Sequence, residues 1–367
     1  MKLLKLYILN SGVFSNNVID FTDNDNPQNL LCLSGVNGSG KTTLMDLILN
    51  LGCLINPKLS LSDIFFDRLK PNILTQTEFA QLDILLDNKL LSLVVGDEDK
   101  IQKSTKYQQA FIIETEIKSL IEKFENSVVK SPKDRNINIM EIRNELYFSS
   151  GFSERKILKI NHEIFSDLFK KIEESMYKEF DPERIGKLPS IYFFNAHDRE
   201  ISDIRYSSIP KHETKYKIAD RYSPEDDDLT KLLVYYDYAY TNKFDELKEW
   251  TQHVLEDKEI YEIYRPEFKV LIKTKNNNIH GLENLSSGEE SLLIIAVLLY
   301  LKASENSIIL IDEIDQSLHP EYQLRIMKII KQIEMEKRCQ IVVSSHSKFI
   351  WNAFEEKSII RLNEVIR

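Results

Sequence analysis

Two groups of residues far apart in the chain have the types and spacing needed to handle phosphate. The first, Gly35-Val-Asn-Gly-Ser-Gly-Lys41-Thr42, satisfies the glycine-rich phosphate-loop pattern. Its glycines let the loop's backbone N–H groups turn inward onto a phosphate, where a following helix N-terminus adds partial positive charge. The cradle read from the pattern comprises Gly35, Asn37, Gly38, Ser39, Gly40, Lys41, Thr42 and Thr43. Lys41 would neutralise the β- and γ-phosphates of a nucleotide, and the Thr42 hydroxyl would reach Mg²⁺. The second group, Ile308-Ile-Leu-Ile-Asp312-Glu313, is an apolar run ending in two carboxylates. Asp312 would hold the Mg²⁺, and Glu313 would polarise an attacking water as general base. Between the two, Leu285-Ser-Ser-Gly-Glu-Glu290 opens an apolar stretch. Ser286 and Ser287 offer hydroxyls there, and Gly288 allows close backbone approach at a helix start, so the segment can grip a γ-phosphate.

Such residues need elements to hold them. Leu30 to Leu33 reads as a short buried strand, and Leu44, Leu47, Ile48 and Leu51 have the spacing of a helix over 42–51. Strand, glycine loop and helix in that order form the context that makes the pattern a site. Lys2 to Leu9 reads as a strand, with Val18 to Phe21 as its hairpin partner after an Asn-rich turn at Ser15 to Asn17. Phe79 to Leu86 and Leu90 to Val95, split by Asp87, Asn88 and Lys89, predict a second hairpin. Toward the C-terminus, Ser291 to Leu301 reads as a helix, Ser307 to Ile311 as a strand, Tyr322 to Ile333 as an amphipathic helix and Gln340 to Ser344 as a strand. Short apolar strands alternating with helices predict a parallel α/β sheet.

From Asp97 to Lys187 charged residues interleave at helical spacing, which predicts a helical insertion. Lys130, Lys133, Arg135, Lys156, Lys159, Lys170 and Lys171 are its candidates for a basic face. Ile191 to Phe194 returns as a strand, and residues 198–265 form another insertion with the acidic run Glu225 to Asp228 and tyrosines 235, 236, 238 and 240. The expected organisation is a split core, residues 1–96 and 281–367, separated by the helical insertion 97–187 and by a return strand with an acidic, Tyr-rich insertion over 188–280.

With 42% hydrophobic and 29% charged residues, the 367-residue chain has the composition of a globular protein, which excludes a disordered or collagen-like class. Its net charge of −10 argues against indiscriminate nucleic-acid binding and restricts any such contact to a local basic surface. No apolar run reaches the ~20 residues of a membrane span, and the N-terminus lacks signal-peptide features. Cys32, Cys53 and Cys339 are odd in number and widely spaced, a poor pattern for zinc or disulfides. The expected compartment is the cytoplasm.

The order of these motifs resembles that of ATP-binding-cassette ATPases, and Leu285-Ser-Ser-Gly-Glu-Glu290 is similar to the signature of the SMC and RecF branch rather than of membrane transporters. The resemblance implies a phosphate-loop NTPase fold of the ABC type: a split core of mixed β-sheet flanked by helices, with a helical insertion. It implies that Ile314 to Pro320 is the D-loop with Asp315 at a subunit junction, and that His346, after Ser344 and Ser345, contacts the γ-phosphate. The Leu318-His-Pro320 ending resembles the ATPases of overcoming-lysogenization-defect nucleases and related prokaryotic defence proteins. Asn10-Ser-Gly-Val-Phe14 stands where that group carries Asn-Phe-Arg, so the arginine contact is missing. The family's glutamine loop is matched by Gln76, by Gln81 or by the segment around Asn195.

From the resemblance follow a head-to-tail homodimer with two composite ATP and Mg²⁺ sites, closed by ATP and opened by hydrolysis. Only 21 residues follow His346, so an attached nuclease of the long-tailed kind is not expected. The implied role is an ATPase switch that senses DNA or RNA and controls a separate effector or nuclease in anti-phage defence. The alternative is an effector enzyme whose own nuclease site lies in 198–280 around Arg199, Glu200, His212 and Glu213; a transporter ATPase subunit fits less well.

Overall fold

The computed structural model describes residues 1–56, 72–97, 137–142, 155–160, 165–176, 188–196, 199, 208 and 216–365. The chain opens with the hairpin β1 (Lys2–Ser11) and β2 (Phe14–Asp20). Its turn is Gly12-Val13, not the Asn-rich Ser15 to Asn17, which lies inside β2. Gly12 has φ +57°, the left-handed conformation that a two-residue hairpin turn demands. The two-residue strands β3 (Thr22–Asp23) and β4 (Asn26–Pro27) then lead into β5 (Leu30–Ser34). The second hairpin forms as expected from β6 (Phe79–Leu86) and β7 (Lys89–Asp97), turning on Asp87 and Asn88, both at positive φ.

Within the stretch expected to be helical, two segments are strands instead: β8 (Ile137–Ile142) and β9 (Arg155–Ile160). Neither has a clean period-two alternation, Ile-Asn-Ile-Met-Glu-Ile in one and Arg-Lys-Ile-Leu-Lys-Ile in the other, so no local strand signal stands out from the charged flanks. They complete an antiparallel six-stranded sheet in the order β2-β1-β6-β7-β9-β8. A helix does form at α3 (Ser166–Met176), after α1 (Lys41–Cys53) and the short α2 (Asn72–Gln76).

A second sheet comprises β10 (Ser190–Phe194), β11 (Ala219–Arg221), β15 (Ser307–Ile311), β16 (Gln340–Ser345) and β17 (Ile359–Arg361) together with β5. Its order is β11-β10-β15-β16-β5-β17 and every pairing is parallel. The mixed sheet of the expectation is thus realised as two sheets, one antiparallel and one parallel. A third, antiparallel sheet of β12 (Lys258–Tyr264), β13 (Lys269–Thr274) and β14 (Ile279–Gly281) follows helices α4 (Leu229–Ala239) and α5 (Thr241–Thr251).

Alternate residues of the parallel strands point to opposite faces. Leu31, Leu33, Ile191, Phe193, Ile308, Leu310 and Val342 join the core that contains α1 and the antiparallel sheet. Cys32, Tyr192, Phe194, Ile309, Ile311, Ile341 and Val343 join the core that contains α6 (Ser287–Lys302) and α7 (Pro320–Lys337). Buried on both faces, these strands read as continuous apolar runs. Among the described residues no helix is long and apolar enough to cross a membrane. The short helices α8 (Lys348–Trp351) and α9 (Leu362–Val365) close the described chain.

The topology brings the motifs to one edge. The glycine loop follows β5, Asp312 follows β15 and His346 follows β16, all at the carboxyl ends of parallel strands, where open α/β sheets place ligands. Because α6 leads into β15 as its crossover, the N-terminus of α6 lies at that edge too, on the face opposite α1.

Candidate functional site

The glycine loop starts α1 without a side-chain cap. Its N-cap is Gly40, at φ +83°. A Cβ there would come within 2.6 Å of Val13 Cγ2 and 2.8 Å of the Phe14 ring, so the first hairpin presses on the loop and only glycine fits. The first N–H groups of the helix therefore face outward with no side chain of the helix end to accept them. The Ser39 hydroxyl is buried with no hydrogen-bond partner, and the Lys41 ammonium donates to the carbonyls of Gly35 at 3.0 Å and Val36 at 3.2 Å. Burial lowers the Lys41 pKa, against the pull of Asp312, Glu313 and Asp315. Unused donors, an orphaned hydroxyl and a lysine folded into the loop are the donor set a polyphosphate takes.

Thr42 and Asp312, 270 residues apart, meet directly. The Thr42 hydroxyl donates to Asp312 Oδ2 at 2.5 Å, and the Ser344 hydroxyl donates to Asp312 Oδ1 at 2.5 Å. A hydroxyl and a carboxylate side by side are hard oxygen ligands suited to Mg²⁺. Ser344 also accepts from the Glu313 N–H at 2.7 Å. Glu313 itself stands at φ +44°, a left-handed conformation uncommon for a residue with a Cβ. The His346 ring reaches it, with Nε2 3.8 Å from Glu313 Oε1, while the His346 N–H donates to Asp315 Oδ1 at 3.3 Å. Glycine-loop, carboxylate and histidine positions read from sequence thus share one site.

The Ser286 segment sits across the sheet. Ser286 caps α6 in a capping box: its hydroxyl accepts from the Glu289 N–H, and the Glu289 carboxylate accepts from the Ser286 N–H at 2.9 Å. Lys258 fastens Glu289 from the third sheet at 2.5 Å. Burial raises the Glu289 pKa, but the hydrogen bonds from Lys258 and Ser286 outweigh it and hold the carboxyl below its usual range. Gly288 packs against the Tyr322 ring at 3.1 Å and the Ser317 carbonyl at 3.3 Å, measured from the Cβ it lacks. Ser286 and Ser287 stay exposed, on the face away from α1.

An AAA ATPase domain model matches residues 1–351. The chain belongs to the AAA ATPase domain family. Among solved structures, this AAA ATPase domain is similar to the SMC head domain from Thermotoga maritima at 14% identity, with TM-score 0.44 over 97% of this chain and 93% of that one. An SmcHead bound to the C-winged helix domain of ScpA matches at 12% identity and TM-score 0.44, covering 98% and 97% of the two chains. The Smc head domain with an extended coiled coil bound to the C-terminal domain of ScpA, derived from Pyrococcus furiosus, matches at 14% and 0.39, over 96% and 91%. No curated protein matches the chain significantly.

Other residues singled out in the sequence of this ATPase domain go elsewhere. Gln76 is exposed at the end of α2, and Gln81 is buried in β6, donating to Asp83 Oδ1 at 3.0 Å. Asn195 accepts from Arg221 at 3.0 Å, and Arg221 also pairs with Asp46 of α1. In the acidic run, Asp228 caps α4 and Asp227 binds Lys302 and the Tyr192 hydroxyl, both structural tasks. Tyr235, Tyr236 and Tyr240 pack on one another. Lys130, Lys133, Arg135, Glu200, His212 and Glu213 lie outside the described residues, while Lys170 and Lys171 are exposed on α3. Arg199, grouped in the sequence with the alternative nuclease cluster, lies instead against the backbone of the carboxylate pair, and Ser344, read only as leading to His346, bonds both carboxylate residues; residue type and spacing signal neither role.

Proposed function

We propose that the chain is a Mg²⁺-dependent ATPase whose two copies close head to tail around ATP. The observation that carries this reading is the direct contact of the Thr42 hydroxyl with the Asp312 carboxylate beneath an uncapped glycine loop. In it, the backbone N–H groups of Gly38 to Lys41 and the Lys41 ammonium hold the β- and γ-phosphates, and Thr42 and Asp312 are the residues that would hold Mg²⁺. When bound, the ion would supply charge neutralisation at the phosphates. Glu313 takes a proton from water as the water oxygen bonds to the γ-phosphorus and the bond to ADP breaks. His346, beside the Glu313 carboxylate, contacts the γ-phosphate and registers its loss.

Support for the dimer comes from the sheet: the segment of exposed Ser286 and Ser287 and buried Gly288 shares an edge with the glycine loop but lies on the opposite face. A second copy, turned head to tail, brings its own segment onto the γ-phosphate, with Asp315 at the junction. Contacts to a γ-phosphate exist only before cleavage, which supplies the differential affinity that a switch requires. The switch acts on a separate effector, a nuclease in the defence setting that the sequence resemblance suggests, in the cytoplasm and in response to DNA or RNA.

The test is sedimentation velocity of Glu313→Gln with and without ATP, beside Lys41→Ala. The Gln variant is expected to double in mass with ATP and the Ala variant to lose ATP binding. A Gln variant that binds ATP and stays monomeric overturns the composite site.

A further inference from the structure

Arg199 is far in sequence from the glycine loop, the Ser286 segment and the carboxylate pair, yet its guanidinium lies against the backbone of that pair. It is 5% exposed, donates to the main-chain carbonyl of Asp312, and reaches the carbonyl of Glu313 at 3.4 Å. Burial lowers its pKa to about 10, and the nearby Asp312, Tyr222, Glu313 and Asp315 oppose that fall, so the group stays charged. Its own carbonyl accepts from the Ser291 hydroxyl of α6 at 3.3 Å. Ser291 lies one helical turn beyond Ser287, on the helix that the exposed Ser286 segment begins.

Glu313 needs such support. A non-glycine residue in the left-handed region persists only where its surroundings fix it. Its N–H is held by Ser344 at 2.7 Å, and its carbonyl receives the Gln316 N–H at 2.9 Å and the Arg199 guanidinium. Ser344 belongs to β16 and Gln316 to the loop itself, so Arg199 is the support that also touches α6.

We propose that Arg199 is a positioning residue that fixes the backbone of Glu313 and links it to α6, so that engagement of the Ser286 segment sets the general base. The proposal rests on the ATPase reading above. Displacement of α6 along its axis moves the Ser291 hydroxyl, hence the Arg199 main chain, hence the guanidinium that holds the Asp312 and Glu313 carbonyls. Because misplacing a reacting group by ~1 Å costs about 100-fold in rate, the link needs only small movements.

The test compares steady-state hydrolysis and equilibrium ATP binding for wild type, Arg199→Ala, Arg199→Lys and Ser291→Ala, each checked for folding by thermal melting. Arg199→Ala is expected to lower kcat about 10- to 100-fold with ATP affinity within about threefold, and Arg199→Lys to restore only part of the loss, since an ammonium is a single point and lacks the planar fork whose two terminal nitrogens each reach one carbonyl. Ser291→Ala, which leaves the guanidinium in place, is expected to lower kcat about three- to tenfold. In the Glu313→Gln background, Arg199→Ala is expected to change the residual rate by no more than about twofold, because the two residues act as one unit. If Arg199→Ala does not fold, Arg199→Lys and Ser291→Ala carry the test. A folded Arg199 variant that turns over at the wild-type rate, or losses that multiply independently in the Glu313→Gln background, overturns the positioning role. Unchanged kcat in Ser291→Ala overturns the link to α6. Absence of hydrolysis by the wild-type chain overturns the ATPase reading itself and is distinguishable from all of these.

Discussion

Ser344→Ala removes one hydroxyl that serves both carboxylate residues at once. Its Oγ donates to Asp312 Oδ1 at 2.5 Å and accepts from the Glu313 N–H at 2.7 Å, and Ser344 is 0% exposed. A hydrogen bond to a charged group contributes about 1.5–3 kcal/mol and a neutral one about 0.5–1.5 kcal/mol. Asp312 Oδ2 keeps the Thr42 hydroxyl, so the deletion strands one carboxylate oxygen and one amide. The expected destabilisation is about 2–4 kcal/mol. The adjacent Ser345 is the control: equally buried, its Oγ accepts from the Ser347 N–H at 2.9 Å, a neutral bond whose loss costs about 0.5–1.5 kcal/mol. Urea unfolding followed by tryptophan fluorescence measures both, since Trp351 donates its indole N–H to the Ser345 carbonyl at 3.0 Å and reports this edge. A Ser344→Ala loss below about 1 kcal/mol, or one equal to that of Ser345→Ala, refutes the assignment of a charge-assisted bond to Ser344.

Gly40→Ala is expected to abolish ATP binding, because the added methyl meets Val13 and Phe14 below 3 Å, whereas Gly38→Ala, at φ +79° with open space around it, costs only the left-handed penalty of about 1–2 kcal/mol; binding of a fluorescent ATP analogue separates the two. Burial pushes the Cys32 thiol up to about 12 and the Cys339 thiol up to about 11. Both are therefore expected to resist iodoacetamide at pH 8 in the native chain and to react on unfolding, and mass spectrometry that finds native Cys32 alkylated at a free-thiol rate contradicts the packing. Unfolded thiols ionise first, so this contribution to stability is complete below pH 9.0 and falls as pH rises toward the folded value.

The phosphate loop, the carboxylate pair and the alternating strands and helices were legible because each is local: period, glycine placement and strand ends are written within a few residues. The β8 and β9 strands were not, since neither has a clean alternation and each is a strand only through its pairing, β9 with β7 and β8 with β9. The hairpin turn was misplaced because several asparagines resemble a turn, while Gly12 at positive φ makes it. Ser344 was read only as part of the approach to His346, yet its hydroxyl joins Asp312 to Glu313. Arg199 was legible only as a candidate of the alternative nuclease cluster, and its place here was not, because its partners are backbone carbonyls more than a hundred residues away, and carbonyls have no sequence signature.

The parallel order that places β5 between β16 and β17 also sets a timetable for synthesis. The strand that carries the glycine loop emerges early, but both of its sheet neighbours lie at residues 340–345 and 359–361. At ~5–20 residues per second the nascent Leu30–Ser34 segment waits on the order of 15–65 s for a partner, an apolar strand with two open edges. Folding of this edge is closed by its last strands, so a truncated chain that still contains every glycine of the loop holds a phosphate motif without the sheet that gives it shape.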